Sequence, residues 1–232
     1  MRGMCRIIIL LMVAMLWSVS AFAAPVDQSQ LIKVGLWDNQ QSVLISADSG
    51  FVLVGKNNEQ LARFAAKEKV AVAMKAGQLA INGKQVQSPE LRVQPVEKKA
   101  DFVLEVNKRR YRGEITLQLS ARQSGVTVIN TIDIEQYLYG IVAREISPDW
   151  PLEAIKAQAV AARSYALHDS KKHRSDGYDV CATTDCQVYN GIDSEAARST
   201  KAVNDTKGII LRFNGQIIPA FFHSSSGGFT EN

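Results

Sequence analysis

Glu145 is the residue of this sequence best suited to proton transfer. Apolar side chains recur at helical spacing at Ile134, Leu138 and Ile141, and Asp133 before them is a typical N-cap residue. At about 100° per residue, Glu145 points in nearly the same direction as Ile134 and Leu138, and so extends the apolar stripe. Loss of hydration on that face and the nearby helix C-terminus would both raise the pKa of the carboxyl, as a proton donor requires. The argument depends on a helix that reaches residue 145.

Two other glutamates, Glu135 and Glu153, are the alternatives for acid–base chemistry. Each falls in the first turn of a predicted helix, where the helix dipole favours an acidic side chain without any catalytic role. We therefore interpret both as structural. For Glu145 itself, a solvent-facing position at a helix end remains the alternative.

A second helix, rich in alanine, is predicted to begin at Pro151 and to run to Leu167. Other backbone can approach alanine closely, so we expect this helix to be central. Its polar side chains occur in pairs seven residues apart, two turns along one face: Lys156 with Arg163, and Gln158 with Tyr165. Such residues usually form a solvated face, but buried ones need hydrogen-bonding partners, so both interpretations stay open.

Short alternating runs with turn signals between them predict a small antiparallel β region over residues 25–100, which we interpret as an accessory region without a catalytic group. Residues 59–69 are the exception and are predicted to form a short helix or a polar loop. Further strands are expected at 102–106, 111–119 and 126–130, with 98–101 as a linker, and later a helix at 194–204 and strands at 208–211 and 216–218. The predicted fold class is α+β: a β-rich N-terminal part, then mixed strands and the central Ala-rich helix beside a substrate groove.

The first 23 residues have the features of a secretory signal peptide. Arg2 and Arg6 precede an apolar run over residues 7–19, and Ala21-Phe22-Ala23 forms a typical cleavage pattern. A membrane anchor is less favoured, because about 20 apolar residues are needed to cross a bilayer. Cleavage would place the protein in the periplasm or the cell-wall space, where cysteine oxidation is permitted.

The charge balance argues against nucleic acid as a partner. The 232 residues carry a formal net charge of +4, and removal of the two arginines of the signal peptide lowers it to +2. The basic groups at 98–99 and 108–110 are interpreted as solvated strand ends, since no cluster of basic residues is interleaved with aromatic ones. The remaining length allows one large domain or two small ones.

Four stretches resemble, in the right order, the stage II sporulation protein D and amidase-enhancer family, SpoIID/LytB. They are residues 111–142, 145–167, 186–191 and 222–231, and the most specific is WPLEAIKAQAVAARSYAL at 150–167. The resemblance covers residues 102–232 and implies a SpoIID-type catalytic domain at 101–232. The family pattern continues beyond residue 231, so we expect this domain to be truncated at its C-terminus.

The resemblance matches Glu145 to the catalytic glutamate of the family and implies a lytic transglycosylase that acts on peptidoglycan glycan strands. In that reaction the hydroxymethyl group of muramic acid is the nucleophile. One glutamate can therefore protonate the leaving oxygen and then deprotonate that hydroxyl, which gives an anhydromuramoyl end without water or a cofactor. A non-catalytic enhancer that binds peptidoglycan or a cell-wall amidase, and a structural wall-binding protein, are the alternatives.

Because the resemblance makes the Ala-rich helix central, its polar residues and those at 187 and 189 are candidates either to bind substrate or to support the active site, and a serine-rich loop adds candidates for substrate binding. These candidates are Lys156, Gln158, Arg163, Tyr165, Gln187, Tyr189, Ser224, Ser225 and Ser226. The three serines precede Gly227-Gly228 in a small polar loop that can bring hydroxyl and N–H groups close to a sugar, although a flexible turn is the alternative. A nucleophilic serine with His223 as its base is less favoured, because no G-x-S-x-G elbow is present.

Cys181 and Cys186 are predicted to lie close together, bound either to each other or to zinc. The resemblance implies a structural zinc ion with Cys and His ligands in this region, which makes His173 the third candidate ligand and Asp185 the fourth. The spacing of the two cysteines is not a strong zinc signature. Export favours the disulfide.

Overall fold

The computed structural model describes residues 30–97, 102–121, 124–168, 172–223, 225 and 227–228. The predicted signal peptide, the linker at 98–101, Ser224 and Ser226 lie outside the described residues. Within the described ranges, no helix has both the length and the apolar character needed to cross a membrane.

The fold class is α+β, as predicted, with three α-helices and fifteen strands among the described residues. The helices are α1 (Ile134–Glu145), α2 (Leu152–His168) and α3 (Ala197–Asp205), and two 3-10 turns lie at Arg174–Asp176 and Gly191–Ser194. The strands are β1 (Leu31–Gln40), β2 (Ser42–Ala47), β3 (Phe51–Gly55), β4 (Gln60–Phe64), β5 (Val70–Lys75), β6 (Gln78–Ile81), β7 (Lys84–Gln85), β8 (Glu90–Pro95), β9 (Leu104–Val106), β10 (Arg109–Tyr111), β11 (Glu114–Leu119), β12 (Val126–Asp133), β13 (Val180–Cys181), β14 (Arg212–Phe213) and β15 (Gln216–Ile217).

Two large sheets contain strands from both sides of residue 100. The seven-stranded sheet has the order β13-β1-β12-β11-β8-β3-β4, and the six-stranded sheet has the order β10-β9-β2-β5-β6-β7. Thus β1 pairs with β12, β8 with β11, and β2 with β9. The predicted boundary near residue 100 does not divide the sheets, because the β-rich N-terminal region supplies neighbouring strands to the later part of the chain.

Residues 60–64 form a strand, so the prediction of a helix or polar loop over 59–69 is wrong there. β4 pairs antiparallel with β3, and Phe64 lies directly opposite Phe51. The two rings are 5.2 Å apart between centroids. This cross-strand aromatic pair stabilises the sheet arrangement, and periodicity within the segment alone did not reveal it.

The first two helices agree with the sequence prediction. A carboxylate oxygen of Asp133 accepts from the backbone N–H of Glu135 at 2.9 Å and of Gln136 at 3.3 Å, which caps α1. α2 begins one residue after Pro151, whose carbonyl accepts the first backbone hydrogen bonds of the helix. The three helices pack against one another, so α2 contacts both α1 and α3, but no more than α1 does.

The segment after α3 differs from the prediction. Residues 212–213 and 216–217 form a two-stranded hairpin, whereas 209–211 form no strand. The backbone N–H groups of Gly208 and Leu211 instead donate to Glu135 Oε1 at 3.0 Å and to Ser164 Oγ at 2.8 Å. Side chains of the helices therefore take the hydrogen bonds that a strand partner would have taken.

Candidate active site and metal centre

Glu145 is the last residue of α1, so the helix reaches it, as the sequence argument required. Its side chain is exposed, however, and the buried stripe of the helix ends at Val142. Loss of hydration where the carboxyl meets the protein surface raises its pKa, while the backbone N–H of Val188 and the charge of Arg144 act in the opposite direction. The direction of the pKa shift agrees with the prediction, although the predicted burial does not.

Arg163 is buried in an ion pair, so of its two predicted roles the burial favours support of the site over direct contact with substrate. Its side chain is 1% exposed and that of Glu135 is 7% exposed. Arg163 Nε donates to Glu135 Oε1 at 3.0 Å, and Nη2 donates to Oε2 at 2.6 Å. The guanidinium also donates to the carbonyls of Ile209 at 2.9 Å and Val203 at 3.3 Å. The pair joins α1, α2 and the chain after α3, which confirms a structural role for Glu135.

Gln187 and Tyr189 are also buried, which favours the predicted role of active-site support over contact with substrate. Gln187 accepts from the Tyr137 hydroxyl at 3.3 Å and donates to the Ala162 carbonyl at 3.3 Å. The Tyr189 hydroxyl donates to Asn130 Oδ1 at 3.3 Å, and its ring packs against that of Tyr137 at 5.0 Å. Both side chains hold residues 186–190 against the helices and the large sheet.

The other polar residues of α2 lie in different surroundings. Lys156 Nζ forms ion pairs with Glu153 at 2.9 Å and Asp205 at 3.3 Å. Glu153 is 82% exposed and lies in the first turn of α2, where the sequence placed it. Gln158 is half-buried, and its amide nitrogen has no hydrogen-bonding partner among the described residues. The ring of Tyr165 is buried. Substrate binding by these three candidates of α2 stays a prediction.

Ser225 is exposed, as is His223 before it. The other two serines of this loop lie outside the described residues, so the role of the loop also stays a prediction.

Four side chains converge on one point, each with an atom that can bind a metal. They are His173, Cys181, Asp185 and Cys186, whose ligand atoms all lie within 4.8 Å of one another. Both cysteines are free thiols in this structure. Two thiolates, an imidazole and a carboxylate are a donor set that suits tetrahedral zinc, so the residues fit the implied ion.

The imidazole of His173 is held from both sides. Its Nδ1 lies 3.3 Å from Asp176 Oδ2, and its Nε2 lies 3.3 Å from Cys186 Sγ. The Tyr178 ring stacks on it at 5.0 Å, with an interplanar angle of 27°. A carboxylate behind the second nitrogen is the usual support for a histidine ligand, because it fixes the tautomer that leaves Nε2 free to bind the metal.

The two thiols differ in their readiness to ionise. The hydrogen bond from Cys186 lowers the pKa of Cys181 to about 5, and the thiolate is the form that binds metals. The same contact raises the pKa of Cys186. Lys172 holds the neighbouring carboxylate, with its Nζ 3.0 Å from Asp185 Oδ1.

The N-terminal strand β1 positions this cluster by pairing with β13. β13 pairs parallel with β1, in a register that places Cys181 beside Gly35. The backbone N–H of Lys33 donates to Asp179 Oδ2 at 2.8 Å. A Cβ atom on Gly35 would lie 2.6 Å from the Tyr178 ring, so only glycine fits there. A lone glycine inside a strand was the sequence signal of this close approach.

Residues 186–190 connect the cluster to Glu145. Cys186 belongs to the cluster, and the backbone N–H of Val188 lies at the Glu145 carboxyl. Burial alternates along the segment, with Gln187 and Tyr189 inside. A metal bound at the cluster would therefore fix the backbone that supports the candidate acid.

Comparison with known proteins finds a family model that matches part of the chain. The model of the family described as "Stage II sporulation protein", SpoIID, matches residues 122–213. The chain is 42% identical over 106 residues to an uncharacterised protein of Brachyspira hyodysenteriae, covering 45% of this chain and 29% of that protein. It is 33% identical over 156 residues to a protein of Bacillus subtilis named amidase enhancer, covering 67% of this chain and 21% of that protein. It is 34% identical over 119 residues to the stage II sporulation protein D of Bacillus subtilis, covering 45% of this chain and 35% of that protein.

The chain thus spans about a fifth to a third of the length of the curated relatives that it matches. Glu145, the four residues of the cluster and the segment between them all lie within the matched range. The chain therefore carries a domain of the SpoIID family at residues 122–213.

Proposed function

We propose that this chain acts on peptidoglycan and cleaves its glycan strands by a lytic transglycosylase mechanism. The observation that carries the proposal is Glu145, an exposed carboxyl with a raised pKa at the end of α1, inside the family-matched range. The two rival glutamates are engaged with cations, Glu135 with Arg163 and Glu153 with Lys156. One free carboxyl suits a reaction in which a single group first donates and then accepts a proton.

In this mechanism, the protonated Glu145 donates to the oxygen of the scissile glycosidic bond as the bond to the anomeric carbon of muramic acid breaks. The resulting carboxylate accepts the proton of the hydroxymethyl oxygen of the same sugar, and that oxygen bonds to the anomeric carbon. The products are an anhydromuramoyl end and a new free hydroxyl, with no net gain or loss of protons by the enzyme. The Val188 N–H and the Arg144 charge favour the carboxylate in the intermediate stage, because both lower its pKa.

We further propose that His173, Cys181, Asp185 and Cys186 hold a zinc ion. A site with four protein ligands is the structural type, in which the ion cross-links the chain rather than activating water. Its task here would be to hold residues 181–190 in place, so that the Val188 N–H stays at the Glu145 carboxyl.

A second function deserves a test because of one observation. The relative named amidase enhancer aligns with 67% of this chain, against 45% for stage II sporulation protein D. In this alternative the chain binds peptidoglycan or a cell-wall amidase and stimulates the amidase without cleaving glycan itself. Both functions agree with the predicted signal peptide, and we propose that the protein works in the periplasm or the cell-wall space.

The deciding experiment incubates the full-length protein with purified glycan strands and examines the products by mass spectrometry. We expect anhydromuramoyl ends. In Glu145→Gln, which keeps the shape of the side chain but cannot transfer a proton, we expect cleavage to fall by about 10²- to 10⁴-fold while strand binding persists.

Other outcomes separate the alternatives. Reducing ends would indicate a hydrolase, in which water replaces the hydroxymethyl nucleophile. Intact strands, combined with a faster amidase in the same mixture, would indicate an enhancer. Near-normal cleavage by a folded Glu145→Gln protein would remove Glu145 from the chemistry.

A further inference from the structure

Arg109 is held at the edge of the six-stranded sheet by a rigid hairpin. Asn107 and Lys108, which join β9 to β10, both have positive φ, at 49° and 68°, as in the tight turns that suit a two-residue hairpin loop. Asn107 is fixed to β2, because its backbone N–H donates to the Leu44 carbonyl at 2.9 Å and its Oδ1 accepts from the Leu44 N–H at 2.9 Å. Arg109 follows directly as the first residue of β10.

The neighbouring arginines of this region are paired with carboxylates, but Arg109 is not. Arg110 pairs with Asp193 at 2.7 Å, and Arg112 pairs with Glu195. No carboxylate forms an ion pair with Arg109 within the described part of the chain. Arg109 is therefore an exposed cation outside these ion pairs, although its charge helps to lower the pKa of the nearby Asp193 carboxyl.

Two neutral side chains nevertheless fix its position. Arg109 Nη1 donates to Asn190 Oδ1 at 2.8 Å, and the guanidinium lies 5.7 Å from the centroid of the Trp37 ring. Trp37 is half-buried and contacts the buried Tyr111 edge to face at 6.0 Å. The guanidinium is thus oriented without a ligand, and these two contacts leave some of its N–H donors for one.

The position of Asn190 relates this group to the proposed active site. Val188 and Asn190 are both half-buried and flank the buried Tyr189, so both reach the outer side of this segment. The two residues of chain between them span at most roughly 7 Å. The Val188 N–H lies at Glu145, and the Asn190 side chain lies at Arg109. Arg109 therefore lies a short distance further along the surface that borders the candidate acid.

We propose that Arg109, positioned by Trp37 and Asn190, is a subsite that binds a carboxylate carried by a muramyl unit of the bound glycan strand. The inference rests on the proposed function, since it deepens the account of the same substrate. An oriented guanidinium forms short, charge-assisted hydrogen bonds with a carboxylate, and the indole offers an apolar face to the sugar ring. The carboxylate has two sources: the lactyl group of muramic acid that bears no peptide, or the stem peptide where one is attached.

The test measures equilibrium binding in the full-length Glu145→Gln protein, so that no strand is cleaved during the measurement. Three ligands of matched length are compared: peptide-free glycan strands, peptide-bearing strands, and chitin oligosaccharides, which have a related sugar backbone without the lactyl carboxylate. We expect the peptide-free strands to bind roughly tenfold more tightly than chitin at low salt, as one hydrogen-bonded charge pair would give. Arg109→Gln should abolish this difference and leave chitin binding unchanged.

Lys108→Asn is the matched control, because it removes the same charge from the adjacent residue and tolerates the positive φ there. It should keep the preference, and Arg109→Lys should keep only part of it, because lysine retains the charge without the planar fork. Peptide-bearing strands that bind as tightly as peptide-free ones would assign the carboxylate to the stem peptide, and weaker binding would assign it to the lactyl group.

Two outcomes overturn the subsite. In one, folded Arg109→Gln keeps the preference for strands over chitin; in the other, it loses affinity for both ligands equally. Because binding is measured without cleavage, the two proposals fail separately. If the wild-type protein does not cleave strands but the Arg109-dependent preference persists, only the catalytic proposal fails.

Discussion

At the residue scale, the raised pKa of Glu145 makes a prediction about pH. A general acid must be protonated, so the cleavage rate should fall as the pH rises through a midpoint above the value of about 4.3 that is usual for glutamic acid. Arg144→Gln should move this midpoint to higher pH, because the Arg144 charge lowers the pKa of the acid. Lys207→Gln, which removes an exposed charge that does not act on Glu145, is the control.

The measurement is the pH profile of the rate of strand cleavage in each variant. The raised pKa also makes the stability depend on pH. Because the folded state favours the protonated carboxyl of Glu145, the contribution of this group to the free energy of unfolding is complete below the unfolded-state pKa. It is lost as the pH rises through the folded-state pKa. A profile for Arg144→Gln that moves to lower pH would contradict the assignment of the acid.

The buried ion pair gives a second prediction at this scale. Arg163→Met leaves the carboxylate of Glu135 buried without its partner, which should lower the free energy of unfolding by about 3–5 kcal/mol. Glu153→Gln breaks an exposed pair and should change it by less than about 0.5 kcal/mol. Urea denaturation checks both values. A stable Arg163→Met protein with a selective loss of glycan affinity would favour the substrate-binding role over the structural one.

The sequence alone identified several groups of the site but not all of their surroundings. The helical stripe before Glu145 and the cap at Asp133 were predictable because they depend on local spacing. Arg163 was assigned to substrate because a spacing of seven shows which residues share a face, and does not show whether that face meets solvent or another helix. Arg109 was assigned to solvent because its partners, Trp37 and Asn190, are distant in sequence.

At the element scale, the segment between β13 and Asn190 should depend on the metal. We expect the purified protein to contain about one zinc ion per chain, and a strong chelator to lower Tm by several degrees and to expose two reactive thiols. Metal analysis, thermal unfolding and thiol titration test this together. Cys186→Ser should reproduce the loss of metal, whereas Ser147→Ala, in the exposed turn after α1, should bind zinc normally. Metal-free protein with no reactive thiols would indicate the disulfide instead.

The elements themselves were largely predictable where hydrophobic periodicity decides them. Most strands before residue 95 and both long helices follow it, and so does the α+β class. It failed at β4, whose side chains are ordered by pairing with β3, and at residues 208–211, where the N–H groups of Gly208 and Leu211 donate to Glu135 and Ser164. In both places a contact with another element outweighs the local pattern.

At the scale of the whole molecule, a protein that begins at residue 101 should not fold. It would lack β1, β8 and β2, which are the neighbours of β12, β11 and β9 in the two large sheets. We expect no cooperative thermal unfolding and the circular dichroism spectrum of an unfolded chain. Removal of residues 1–23 alone, which keeps all the described strands, is the control. A folded, cooperative fragment would show that the N-terminal strands are an accessory unit after all.

The pairing of β1 with β13 also sets the order in which the protein can assemble. The hydrogen bond between Lys33 and Asp179 joins residues 146 positions apart, so a very long loop must close before Cys181 is held beside Gly35. Contacts of such long range slow folding, because the entropy of loop closure is lost before the contacts stabilise the chain. β1 is synthesised long before β13, so the two strands cannot pair until most of the chain has been made. We therefore expect capture of the metal to be a late and slow kinetic phase of refolding, and the thiols to be at their most vulnerable to oxidation before it.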